Sequence, residues 1–152
     1  MNFWQKGILV VVLLVNFGCI SEQSRTYRTL AVTFFRKSSA QQIQEFSHYS
    51  IDKQYAIYRC GTEYIHPPAF YLAYPFAAGG KPVVDLLVAK LLDHDTEDEA
   101  VMHITYVFAV MREKGIYEAR KNDELMKILV KRIALMEDNY CRKYTKELAG
   151  SL

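Results

Sequence analysis

The densest group of side chains able to do chemistry is Asp93-His94-Asp95-Thr96-Glu97-Asp98-Glu99, with His103 one helical turn beyond. Carboxylate oxygens beside imidazoles are ligands for divalent cations. Read as an EF-hand loop starting at Asp93, the stretch has Asp98 where glycine must allow the sharp turn. It also has Ile104 where the closing glutamate belongs. Acids at this position oppose the positive end of a helix, and that role suffices. No metal site is therefore assigned. The chain has no nucleophile elbow, phosphate-binding loop, H-E-x-x-H helix or C-x-x-C pair. No catalytic set and no cofactor are expected, and the chain is read as a non-enzyme.

Binding chemistry is better represented. In His66-Pro67-Pro68-Ala69-Phe70-Tyr71-Leu72-Ala73-Tyr74, two prolines fix the entry to a helix and aromatic rings crowd its first turns. Tyrosine offers flat apolar area with a polar tip and loses little entropy on ordering, which suits recognition surfaces. His66, Pro67, Pro68, Phe70, Tyr71 and Tyr74 form the candidate binding surface. Tyr55, Tyr58 and Tyr64 on the preceding helix would extend it into a groove. The same rings would alternatively knit two helices together. His48 and His94 are placed at helix ends in solvent. Lys127, Lys131, Arg132, Arg142, Lys143 and Lys146 make the last helices basic. Cations near helix C-termini complement the dipole, and contact with anionic headgroups is their second use.

The elements carrying these groups are helices. Leu30 to Phe35 has strand-like composition but no partner strand, so it is an extended segment or the start of a helix. Ser39 caps a first short helix, and Ser50 or Asp52 caps a second with Ile51, Tyr55 and Tyr58 at helical spacing. His66-Pro67-Pro68 stops it. Pro68 opens the next helix, which Pro75 should kink and Gly79-Gly80 should end. Pro82 opens a fourth, closed by Asp93-His94-Asp95. Thr96 and Glu99 have capping-box spacing for a fifth, ended by Gly115. Asn122 opens a sixth, and a break near Asp138 and Asn139 leads to the last. Grouped in pairs these make three hairpins. Leu86 to Leu92 resembles Ile128 to Ala134 at an offset suited to HEAT-type helical repeats. The expected fold is all-α: antiparallel helical hairpins, HEAT-like or an irregular helical bundle.

The N-terminus carries an address. Lys6 precedes the apolar run Ile8 to Val15, and Asn16-Phe17-Gly18-Cys19 follows. That order of charge, apolar core and small residue is the pattern of a secretory signal. The run is far short of the roughly 20 residues that cross a bilayer. A cysteine after glycine at the end of the core resembles the lipobox of bacterial lipoproteins, although Asn16 and Phe17 stand where an aliphatic and a small residue are usual. The resemblance implies cleavage before Cys19, lipidation of its thiol and, with Ile20 following, an outer-membrane destination. An ordinary cleaved signal and an uncleaved anchor are the alternatives. With Cys19 lipidated, Cys60 and Cys141 remain as a disulfide pair in an oxidising compartment, two buried thiols that never meet being the alternative. That bridge would close a loop of about 80 residues and contribute on the order of 4 kcal/mol.

Expected organisation is a signal peptide over 1–18, a lipidated cysteine and tether over 19–37, and one α-helical domain over 38–152. Nineteen Lys and Arg against seventeen Asp and Glu give no attraction to nucleic acid. The expected partners are the membrane, through Cys19, and a protein of the cell envelope. The expected function is a non-catalytic interaction module of the immunity, inhibitor, exclusion or assembly-adaptor type. Binding of a glycan or small ligand in the tyrosine-rich groove is the alternative.

Overall fold

Polar side chains set the helix starts in this chain. Ser38 begins α1 (Ser39–Phe46) with a reciprocal cap: its hydroxyl accepts from the Gln41 amide, and the Gln41 side chain accepts from the Ser38 amide. Ser50 caps α2 (Ile51–Glu63), Asn122 caps α6 (Asp123–Leu135) and Asp138 caps α7 (Asn139–Ser151). Between them lie a 3-10 turn (Phe70–Leu72), α3 (Ala73–Ala77), α4 (Lys81–Leu92), α5 (Asp98–Glu113) and a second 3-10 turn (Ala119–Lys121). The computed structural model describes Thr29, Leu30 and residues 32–152, and no strand occurs among them. The signal segment, Cys19 and the polar stretch through residue 28 lie outside the described residues. Among the described residues no helix is long and apolar enough to cross a membrane.

Three local expectations are corrected, the first being the cap of α1, which is Ser38 and not Ser39. The helix expected after Pro68 divides into a 3-10 turn and α3, which starts only at Ala73. Pro75 thus falls in a first turn, where its missing N–H has no intrahelical acceptor to lose. The capping box at Thr96 is not formed. α5 begins at Asp98, and the Thr96 hydroxyl donates instead to the Lys90 carbonyl at 2.6 Å, an acceptor near the end of α4. Of the two readings of Leu30 to Phe35, the start of a helix holds at its N-terminal end, and the segment is no tether. Its N-terminal part is helical, the Phe34 amide bonds Leu30 at 2.9 Å, and Leu30 and Phe34 are buried. The folded unit therefore reaches back past the boundary expected at residue 38.

α5 is the centre of the molecule. Ten of its residues are buried, from Ala100 to Met111, on most of its circumference, as befits a helix enclosed by others. It packs most extensively on α7 and α3, and less on α2 and α4. α4 meets α6 more than it meets α5, its expected hairpin partner. Of the two arrangements expected, an irregular bundle around α5 describes the contacts better than a stack of hairpins. Gly115, at φ 64°, closes α5: its amide reaches Arg112 at 2.9 Å and the Ile116 amide reaches Met111 at 2.8 Å. Gly61 is required by close approach, since a Cβ there would lie 2.8 Å from the Ala69 Cβ and 2.7 Å from the Phe35 ring.

The expected Cys60–Cys141 bridge is not formed; each cysteine is a buried thiol. Cys60 lies on α2 and Cys141 in the first turn of α7. These helices share no extensive interface, and both pack on α5. Burial, then the Glu63 charge, pushes the Cys60 thiol up to about 11. Burial, then a hydrogen bond with Asp138, pushes Cys141 up to about 12. Both are protonated and poorly nucleophilic at neutral pH.

Candidate functional site

The double-proline bend sorts the aromatic residues that follow it. His66, Pro67 and Pro68 are exposed, and the His66–Pro67 peptide is cis. The Ala69 amide bonds the Gly61 carbonyl at 2.9 Å, fastening the bend to α2. Ala69 and Leu72 then enter the core, while Phe70 and Tyr74 stay 38% and 40% exposed. Tyr71 turns away from them. Its hydroxyl donates to the Gln42 side chain on α1, and the Gln42 amide nitrogen donates to the Lys37 carbonyl at 2.6 Å. Tyr71 is a half-buried tie between elements, outside the surface it was expected to join.

The groove expected with α2 is not built as anticipated. Tyr58 is fully buried, ring against Phe76 at 5.9 Å, with its hydroxyl donating to the His103 carbonyl at 3.3 Å. Tyr55 is half-buried with the Lys90 ammonium 5.7 Å from its ring centre, and Tyr64 is exposed.

Phe70 and Tyr74 instead join aromatic residues of α5 and α7. The Phe70 ring meets Tyr106 edge-on at 5.4 Å, a favourable aromatic geometry. Burial raises the Tyr106 hydroxyl above the ordinary tyrosine value; the charge and hydrogen bonding of Tyr74 add to this, as do Tyr144 and Glu113. Tyr74 on α3 and Tyr144 on α7 stand on the two helices that pack most extensively on α5, which carries Tyr106. Tyr144 continues the surface to Tyr140, whose ring is parallel to its own within 4° at 6.3 Å. Tyr140 is 71% exposed. The Lys114 ammonium lies 5.1 Å from the Tyr74 ring centre, a cation–π contact at the edge. The result is an aromatic strip across α3, α5 and α7. Tyr140 and Tyr144 are four apart on one helix, so their pairing was readable from spacing. Their meeting with Tyr106 and Tyr74 depended on helix packing.

Beneath Phe70 lies a polar layer. The His103 ring meets Phe70 edge-on at 5.6 Å, and its Nδ1 is 3.1 Å from the Thr62 hydroxyl. Burial, then the Arg59 charge, lowers the His103 pKa to about 4, so the imidazole is neutral. Arg59 pairs with Glu63 and approaches Glu97 at 3.4 Å. Burial raises the Glu63 carboxyl despite Arg59, and nearby Glu99 and Glu97 add to the rise. His103 therefore faces Thr62 and does not join the acidic stretch before it. Within that stretch, Asp98 accepts from the Glu137 and Asp138 amides at 2.7 and 2.8 Å, pinning the turn between α6 and α7. Among the described residues no three or more His, Cys, Asp or Glu are grouped to hold a metal ion.

Chemically, the strip offers broad ring area, hydroxyl tips and one cation, which suits binding. No family model, no curated protein and no solved structure matches the chain.

Proposed function

We propose that this chain is a non-catalytic binding module of the bacterial envelope, held at the membrane by lipid on Cys19. Its aromatic strip docks a protein partner. The observation that carries the reading is the continuity of Phe70, Tyr106, Tyr74, Tyr144 and Tyr140 across three helices, with four of the five rings more than a third exposed. Exposed aromatic groups clustered on one face, with hydroxyls able to hydrogen-bond, have the composition of an interface centre. Rings carried on packed helices also lose little freedom on binding. The lipobox-like sequence supplies the location, and a tethered module would meet its partner at raised effective concentration.

Light crosslinking of intact cells, followed by purification from the membrane fraction, tests this. One dominant protein should co-purify with the wild-type chain. Tyr74→Ala combined with Tyr144→Ala should lose it while lowering the melting temperature only slightly, because both rings lie at the surface and are more than a third exposed. Tyr71→Ala, a tie to α1, should lower the melting temperature more. Unchanged capture by the Tyr74→Ala, Tyr144→Ala chain would remove the strip from the interface. Saturable binding of peptidoglycan fragments, with no protein captured, would replace the partner with a glycan.

A further inference from the structure

We infer that the cleft between the end of α4 and the outer side of α6 binds a single-chain anionic amphiphile, a long-chain carboxylate. The inference is independent of the aromatic strip, whose residues lie on other elements.

The cleft has a volume of about 210 Å³. Its floor is aliphatic: Leu91 and Leu92 from α4, Ile128 and Leu135 from α6. Leu92 and Leu135 are 57% and 60% exposed, an apolar area that water covers unless something else does. Its charged lining residues, Lys127, Lys131 and Arg132, are all cationic, and no acid lines it. Among the described residues none of the three has a carboxylate within ion-pair distance.

Arg132 is the third cation of the lining. Its guanidinium donates to the Thr96 carbonyl, yet its Nε is buried with no acceptor. That atom is closed off from the cleft, so the Arg132 charge acts on a headgroup through its other nitrogens and at longer range. The helix dipole accounts for Lys131 and Arg132 in the last turns of α6, but Lys127 lies two turns back from its end. An apolar trough edged by cations matches a tail with an anionic head.

The neighbouring surface chooses between a single molecule and a membrane. The adjoining polar cleft, which shares His94, Arg132 and Leu135, is lined by Glu97, Asp98, Glu137 and Asp138. A flat anionic bilayer laid on this edge would meet those carboxylates. A single headgroup seated among Lys127, Lys131 and Arg132 does not.

Calorimetric titration of the full chain with sodium dodecanoate, below its micellar concentration, tests the assignment. The expected result is saturable binding to one site, with dodecyltrimethylammonium about tenfold weaker or more. Lys127→Ala with Lys131→Ala, both at exposed positions, should weaken dodecanoate by about tenfold with no change in melting temperature. Tyr74→Ala with Tyr144→Ala should leave it unchanged. Equal binding of the two headgroups overturns the inference, as does full dodecanoate affinity in the double lysine variant. Binding confined to phosphatidylglycerol vesicles, with none to monomeric dodecanoate, overturns it in favour of a membrane-facing patch.

Discussion

At neutral pH His103 carries no charge, because burial beneath Phe70 and the nearby Arg59 guanidinium both disfavour the imidazolium. The sequence offered this histidine as a companion to the acids before it, and spacing alone allowed that. What decided otherwise was the rotation of α5, which turns position 103 toward Thr62 and the core. A stability consequence follows. Below about pH 6.5 the unfolded chain binds a proton at His103 that the folded chain refuses until about pH 4. Its contribution is therefore complete above the unfolded value and is lost as pH falls through this window, by up to about 3 kcal/mol. The raised Glu63 carboxyl works in the opposite sense, favouring the folded chain as pH falls. Comparison with His103→Gln isolates the histidine. Denaturant unfolding at about pH 7 and about pH 4.5 should show a smaller loss in the variant. Parallel losses in the two proteins would show that His103 does not titrate as its burial implies.

Among the elements, capping residues were the most legible feature. Ser50, Asn122 and the break at Asp138 could be read directly, since a side-chain oxygen reaching an amide three residues on is a local interaction. Thr96 shows where locality stops. The spacing to Glu99 was right, but a carbonyl at the end of α4 captured the hydroxyl. Pro75 was read as an interruption of one helix because the 3-10 turn before α3 could not be foreseen. Asn122 provides the test at this scale. Its Oδ1 accepts from the Leu125 amide at 3.0 Å, so Asn122→Ala should cost about 1 kcal/mol of stability in denaturant unfolding. Asn122→Asp keeps the acceptor and should recover most of it. An alanine variant as stable as wild type would mean that the cap contributes nothing.

For the whole molecule, the consequential difference is where the folded unit begins. Phe34 is 2% exposed, edge-on to Phe35 at 5.0 Å and within 6.4 Å of both Phe46 and Tyr49. Phe34→Ala should therefore destabilise the protein by about 3–5 kcal/mol, as expected for a buried phenylalanine. A tether residue would leave the unfolding midpoint unmoved, and that result would restore the boundary at residue 38. The position of α5 also explains why paired hairpins were expected. Apolar spacing says how much of a helix is buried without saying against which neighbour.

By itself the sequence determined the helical class, most of the helix starts and stops, and the presence of exposed aromatic chemistry near the double proline. These follow from interactions spanning a few residues: caps, proline geometry and the period of apolar side chains. Only the tertiary structure decided that Tyr71 would tie to α1 while Tyr106, Tyr140 and Tyr144 joined Phe70 and Tyr74. It also separated the helices carrying Cys60 and Cys141 and set three cations along one aliphatic cleft. Those outcomes depend on the rotation and partner of each helix. Packing of the entire core fixes both, and no local window contains that information.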